Sequence, residues 1–271
     1  MEKSTFIGLF LGVFAIGLGM VFKGASLTAL WNPAAFLIIF VGTAASLCMA
    51  FPMAELKKFP KLIKIVMKEQ KLIPKRELVN IFANLAMVAR REGLLSLESQ
   101  LESIDDPFLR NGMQMIIDGS DPEFVRSVMM EEIYAIEERH RAGALIFSQA
   151  GSYAPTLGVL GAVVGLIAAL GNLSDIEKLG HSIAAAFVAT LLGIFTGYVL
   201  WHPIANKLKR LSKKEIELKQ MIVEGVLAIQ EGRSPMILEQ KLLVYLSQTE
   251  RAKQNQPESV TSQKELAADV K

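Results

Sequence analysis

The stretch between Arg141 and Pro203 constrains the fold more than any other. It holds two long apolar runs, with Pro155 near the start of one and Pro203 at the end of the other, joined by a short loop carrying Asp175, Glu177 and Lys178. Neither run contains an Asp, Glu, Lys or Arg. In lipid every backbone N–H and C=O must be satisfied within the segment, so runs of this length and polarity become spanning helices. Two more runs, 5–22 and 33–51, lie near the start of the chain. Asn32-Pro33 opens the second and Pro52 closes it, and the loop between the two carries one charge, Lys23.

Charge sets the orientation. Lys57, Lys58, Lys61, Lys64, Lys68, Lys71, Lys75 and Arg76 crowd after the second run; Lys207, Lys209, Arg210, Lys213 and Lys214 follow the fourth. Basic residues flanking spans favour the cytoplasmic side. Both basic segments and both termini are therefore expected inside, and both short loops outside, on a multi-pass protein of the cytoplasmic membrane. The expected fold is an all-α integral membrane protein with four transmembrane helices and a large helical cytoplasmic module. Its parts are a hairpin at 1–52, the module at 53–141, a second hairpin at 142–203, cytoplasmic helices at 204–247 and a tail at 248–271. The tail is polar without apolar periodicity, so disorder is expected there. The first run is read as a span, not a cleaved signal peptide, since its n-region is nearly uncharged and a second run comes at once.

Within the module, Pro74 is placed at a helix start, with Leu78, Ile81, Phe82, Leu85 and Ala89 at helical spacing and Gly93 as the stop. Leu94, Leu97, Leu101 and Ile104 predict a short amphipathic helix, and Asp106-Pro107 starts another that Gly119 ends. Asp121 caps a helix with Pro122 at its first position. Val125, Val128, Met129, Ile133 and Ile136 form its apolar stripe, and no proline stops it before the third span. After the fourth span, 208–229 predicts a helix ended by Gly232. Ser234-Pro235 starts a last one carrying Ile237, Leu238, Leu242 and Leu246.

Several functions are disfavoured. A net charge of +2 gives no argument for nucleic acid. The single Cys48, inside an apolar run, reads as a small buried hydrophobe. Three scattered His, with no H-E-x-x-H or C-x-x-C, give no metal site and no cofactor. No nucleophile–base pair suggests an enzyme.

The spans offer other chemistry. Gly158, Gly161, Ala162 and Gly165 crowd one side of the third, and Ala185, Ala189, Gly193 and Gly197 recur every four residues in the fourth. Such stripes let helices approach closely, whether within one bundle or toward another protein's helix. Thr156, Thr190 and Thr196 are the polar groups available; a threonine here bonds its own backbone or flanks an ion path. Pro155 and Pro203 remove the N–H groups that would bond the carbonyls of Gly151 and Val199, so each marks a kink or a span end. The missing carboxylate matters more. A cation-conducting protein keeps an ionisable group at membrane depth, so if this chain moves ions, a partner supplies that group.

NPAAFLIIFVGT, ARREGLLSLE, QAGSYAPTLGVLGAVVGLIAAL and AAAFVATLLGIFTGYVLWHP occur in this order. Together they resemble the A subunits of bacterial flagellar motor stators, the MotA family, and most closely its Bacillus-like members. The resemblance covers nearly the whole chain. It implies a ring of A subunits, a pentamer, around a MotB-type dimer. Each MotB-type subunit has one span, an ion-carrying aspartate and a peptidoglycan anchor. The resemblance also implies a rotor switch-complex partner, FliG-type, pushed by the cytosolic face. Carried over by position, Arg90 and Glu98 face the rotor, Pro155 and Pro203 couple conformation, and Thr190 looks toward the partner's aspartate. At Ala162 sodium-driven relatives place a threonine; its absence favours protons. The alternatives are a sodium-driven stator, an ExbB/TolQ-like transducer for an envelope protein, and a membrane scaffold that conducts nothing.

Overall fold

The computed structural model describes residues 3–68, 72–171, 173–248 and 251, which are mostly helical and contain no strand. The chain divides into two compact units, one of residues 1–70 and 138–212, the other of 71–137 and 213–271.

The first unit holds four helices long and apolar enough to cross a membrane. The first, Lys3–Phe22, buries none of its apolar window. The second is composite: Pro33–Phe36, a wide π-helical turn at Leu37–Val41, then Gly42–Ala50. Asn32 fixes its start, its side-chain oxygen accepting from the Ala35 N–H at 3.1 Å while its amide donates to the Ala185 carbonyl at 3.2 Å. The third is the apolar part of Pro122–Leu170, a helix unbroken at Pro155. The fourth runs Ile176–Phe195, widens into a π-turn at Thr196–Trp201 and continues as His202–Gln230. Pro203 therefore ends nothing. A proline ring clashes with the carbonyl four residues back, and the wide turn ahead of it gives that ring room. The expected separate helix at 208–229 is the continuation of the fourth.

Two readings change here. Cys48 is exposed, on the outward apolar face beside Met49 (93% exposed), not buried. The basic stretch after Pro52 contains an amphipathic helix, Phe59–Met67, which the expectations above do not include, although Pro60 stands in its first turn and Phe59, Leu62, Ile63 and Val66 follow helical spacing. Its Phe59 stacks on Phe147 at 4.8 Å, Trp201 tilts against both rings, and Val66 is buried.

The second unit is built around Lys75–Glu92, whose Leu78, Val79, Phe82, Leu85 and Ala86 are buried. Pro74 and Gly93 bound it as the sequence implied. Residues 94–104 do not form one helix: Leu94–Leu97 is a 3₁₀ turn and Glu98–Leu101 a single α-turn. Ser96, Ser99 and Ser103 each donate to a carbonyl three residues back, and such local bonds compete with the helical ladder. Leu97, Leu101 and Ile104 are nevertheless buried. Asp106 caps Pro107–Ile117 by accepting from the Phe108 and Leu109 N–H groups at 2.9 and 3.0 Å. Along the helix from Pro122, Val125, Met129, Ile133 and Ile136 are buried, but Val128 is exposed, at the edge of a face narrower than expected.

From residue 213 on, Ile216, Leu218, Met221, Ile222, Val223 and Val226 fill the centre of this unit. Gly232 (φ +67) ends the helix, its N–H bonding the Ile229 carbonyl and that of Arg233 the Ala228 carbonyl, a Schellman pair that only a residue at ease with positive φ closes cheaply. Ser234 caps Pro235–Leu243, which packs on Lys75–Glu92. Leu238, Leu242 and Leu246 are buried while Ile237 faces out. Lys75 ties the ends together, donating to Glu217 at 3.1 Å and to the Tyr245 carbonyl at 3.0 Å. Glu224 lies between Arg126 and Lys241. Burial pushes its pKa up, but hydrogen bonds and charge from Lys241 and Arg126 outweigh that and hold it below the usual value. Of the tail expected at 248–271, only Gln248 and Arg251 fall within the described residues.

Candidate functional site

The third and fourth apolar helices touch backbone to backbone. A Cβ placed on Gly193 would lie 2.7 Å from the Gly158 Cα and 2.8 Å from the Ala154 carbonyl oxygen. One on Gly158 would lie 2.9 Å from both the Ala189 carbonyl oxygen and the Gly193 Cα. Gly165 meets Ala186 and Gly161 meets Ala189 along the same seam. Without side chains between them, the backbones come close enough for dispersion and Cα–H···O contacts to replace the hydrophobic driving force that lipid lacks. The small stripe of the fourth helix is thus filled by the chain's own third helix. It is not an open socket for a foreign helix, and Ala189, Gly193 and Gly197 are buried.

What remains open is the other face. Along the third helix Thr156, Val159, Leu160, Val163 and Ile167 are exposed; along the fourth, Phe187 and Ile194 are exposed and Thr190 between them is half-buried. Ala162, half-buried, and Thr190 each adjoin a residue of one contact, Gly161 against Ala189. Each threonine donates its proton to its own helix. Thr156 bonds the Ser152 carbonyl at 3.2 Å, Thr190 the Ala186 carbonyl at 3.5 Å, and Thr196 the Leu192 and Gly193 carbonyls at 2.8 and 3.1 Å. With its proton committed, a hydroxyl can only accept. Thr156 and Thr190 therefore offer acceptor oxygens toward the outer face, whereas Thr196 is buried inside the seam.

The two prolines meet one device. A Cβ on Gly197 would lie 2.7 Å from Pro155 Cγ and 2.8 Å from the Gly151 carbonyl oxygen, the carbonyl that Pro155 deprives of its N–H. Gly197 is the second residue of the π-turn Thr196–Trp201, and Pro203 comes two residues after that turn. Pro155 thus presses on one end of the turn and Pro203 stands at the other. The His202 ring lies against Gly151, 2.8 Å from where its Cβ would be. Sequence reasoning found both prolines but neither π-turn, for which no residue type is diagnostic. It also missed Thr43 and Trp201, whose buried hydroxyl and indole N–H have no hydrogen-bond partner among the described residues.

Arg90 lies in the last turn of Lys75–Glu92 and Glu98 opens the short turn after it. Both are exposed, and neither makes an ion pair with a described residue. Arg90 shares with Arg233 the lining of a surface cavity of about 280 Å³, between the Gly93 and Gly232 helix ends. Two unneutralised, outward charges of opposite sign cost nothing in water and are available to a charged partner. Among the described residues no cluster of His, Cys, Asp or Glu could hold a metal ion.

Comparison with known proteins agrees over most of the chain. Residues 100–221 match the MotA/TolQ/ExbB proton channel family and residues 6–93 the motility protein A N-terminal family. Motility protein A of Bacillus subtilis (strain 168) is 56% identical over 253 residues, 93% of this chain and 94% of that protein. Among solved structures, the flagellar MotAB stator complex from Bacillus subtilis contains a chain 55% identical, with a TM-score of 0.90 over 94% of this chain and 100% of that one. The C. jejuni MotAB structure matches at 33% identity and a TM-score of 0.87, over 92% of this chain and 97% of its counterpart. From its Asn32-Pro33 span to its Trp201-His202-Pro203 end, this chain belongs to the motility protein A family, within the MotA/TolQ/ExbB proton channels.

Proposed function

We propose that this chain is the A subunit of a flagellar motor stator, which couples proton flow across the cytoplasmic membrane to torque on the rotor. Its likeness over nearly its whole length to chains of two MotAB complexes carries the reading. The physical support is the seam between the third and fourth helices. That pair closes on itself through glycine and leaves outside a face with two acceptor hydroxyls and no ionisable group. Such a face complements a single foreign helix carrying a carboxylic acid. The partner is a MotB-type subunit with one span, anchored to peptidoglycan, whose aspartate protonates and deprotonates beside Thr190 and Thr156. Several copies of this chain, five by the family's pattern, ring that partner. The orientation read from the basic flanks, with both termini and the second unit in the cytoplasm, puts Arg90 and Glu98 where a FliG-type rotor protein can be pushed.

Protons are favoured by Ala162. A dehydrated sodium ion needs several oxygen ligands, and this position supplies none, whereas a proton passes through hydrogen bonds and water. An ExbB/TolQ-like role is disfavoured by the match of residues 6–93 to the motility protein A N-terminal family. In cells carrying only this stator pair, swimming speed is expected to follow the proton gradient and to be unaffected by replacing sodium with potassium. Arrest of swimming without sodium would overturn the choice of ion. Full motility after deletion of this chain and its partner would overturn the stator itself.

A further inference from the structure

The open face of the third and fourth helices changes character at Thr156 and Thr190. Away from the basic flanks it is lined by Val159, Leu160, Val163, Ile167 and Phe187, all exposed and apolar. Toward the basic flanks it is polar and gains an ionisable group. On the third helix Thr156, Ser152 and Ser148 recur every four residues, the first two exposed and the last half-buried. On the fourth, Thr190, Ile194, Tyr198, His202 and Asn206 do the same, none of them buried. The π-turn Thr196–Trp201 interrupts the α-helical spacing there, yet the Tyr198 and His202 rings stay in register, 5.3 Å apart. His202 also reaches the third helix, its ring set against Gly151, the neighbour of Ser152. Two polar stripes from facing helices thus converge on one imidazole, just before the basic segment that begins at Lys207.

We infer that His202 takes up the proton released by the partner's carboxylic acid and passes it to the cytoplasm, along water held by the Thr156–Ser152–Ser148 row. The inference rests on the stator reading above. Thr156 and Ser152 give their own protons to the carbonyls four residues back, at 3.2 Å each, so each hydroxyl presents an acceptor oxygen to the open face. One helical turn, about 5.4 Å, separates successive members of the row. That is about the span of two O–H···O hydrogen bonds of about 2.7 Å, so one water bridges each step. The valines and leucines on the other side of Thr156 offer water no such partner, and the wet path opens toward the basic flanks alone. His202 is the group at its end whose ordinary pKa lets it gain and lose a proton near neutrality. It is half-buried and has no hydrogen-bond partner among the described residues, so its ring nitrogens are free for water. Neutral imidazole accepts at one nitrogen and donates at the other. An arriving proton forms an N–H bond at the first, the N–H bond at the second breaks, and that proton leaves to cytoplasmic water. A ring flip then restores the starting tautomer, and nothing is oxidised or reduced. Packing on Gly151 alone would be served as well by an apolar ring.

The test uses the complete stator pair, in cells that carry no other, with rotation measured under a small and a large viscous load. Near stall almost no protons cross, so torque there reports the driving force and the fold, whereas speed at small load is limited by proton transfer. His202→Asn keeps a polar side chain of similar reach but does not titrate. It is expected to lower small-load speed about tenfold, less than the full contribution of a positioned proton-transfer group because other steps share the limit. Torque near stall should fall far less. His202→Ala, which leaves a space beside Gly151, is expected to lose speed in the same way and to recover about half of it when imidazole is added to the medium. Imidazole should leave His202→Asn as slow as before. Small-load speed of His202→Asn equal to wild type would overturn the inference. So would a parallel fall of speed and stall torque in both variants without rescue by imidazole, which would make His202 a packing residue. Absence of rotation with the wild-type pair would instead overturn the stator reading on which the inference rests.

Discussion

Gly193 concentrates the problem that the membrane-facing half of this chain solves. Its Cα rests on that of Gly158, and the nearest atoms to any added side chain are backbone, with no flexible tip that could swing away. Gly193→Ala should therefore force the helices apart. Overpacking of this kind costs about 1–3 kcal/mol, read as a lower melting temperature in detergent and less protein in the membrane. At Gly17, where nothing lies within 4 Å of an added Cβ, alanine is expected to be neutral in the same assay. The small stripe was legible in the sequence, because Gly and Ala every four residues have one physical use in lipid. Its partner was not. Composition says that something comes close, and only the fold says that Ala189 and Gly193 meet Gly158 of the same chain. The threonines divide likewise: their types announce acceptors, but that Thr196 is buried while Thr156 is exposed depends on which face the glycines claim.

Among elements, helix ends that carry capping chemistry were the most legible. Proline, aspartate and glycine mark both ends of Lys75–Glu92 and Pro107–Ile117, and serine and proline the start of Pro235–Leu243, because each residue type satisfies or ends a helix terminus by its own chemistry. The helix Phe59–Met67 was legible from Pro60 and its apolar spacing but was read only as a basic flank, and the π-turns have no signature. The turn Thr196–Trp201 matters most, since Gly197 bears on Pro155 and Pro203 stands just beyond it. Pro203→Leu restores an N–H that can bond the Val199 carbonyl and removes the ring that the wide turn accommodates. Closing a π-turn into α-helix removes one residue from the turn and rotates the helix beyond it by about 100°. Torque in tethered cells is expected to collapse while the amount of protein in the membrane fraction stays near normal. Pro155→Leu acts on the same turn from the other helix and should give the same pattern. Loss of either variant from the membrane would mean that the prolines serve packing alone.

At the scale of the whole molecule, charge is sorted by compartment. The apolar runs of the first unit carry none, while the second unit neutralises its charges where they approach its core, as Glu224 does with Arg126 and Lys241, or Lys75 with Glu217. Arg90 and Glu98, like Arg91 and Glu92 between them, are exposed and without an ion pair among the described residues. Neither serves the fold: Arg90 is outside the buried face of its helix, and Glu98 only opens a four-residue turn. Exposed single charges contribute little to stability, within about 0.5 kcal/mol, so reversing them should leave the melt of the protein unchanged. Charges that meet a complementary surface set partner choice and encounter rate instead. Arg90→Glu is therefore expected to slow swimming sharply with normal protein levels, and Glu98→Lys to do the same more mildly. The decisive measurement is the combination with the rotor. A reversed acidic residue on the rotor should restore motility to Arg90→Glu and impair wild type, a crossed pattern that loss of folding cannot produce. Normal swimming of both single variants would instead leave Arg90 and Glu98 as solvated helix-end charges and move the rotor contact elsewhere on the second unit.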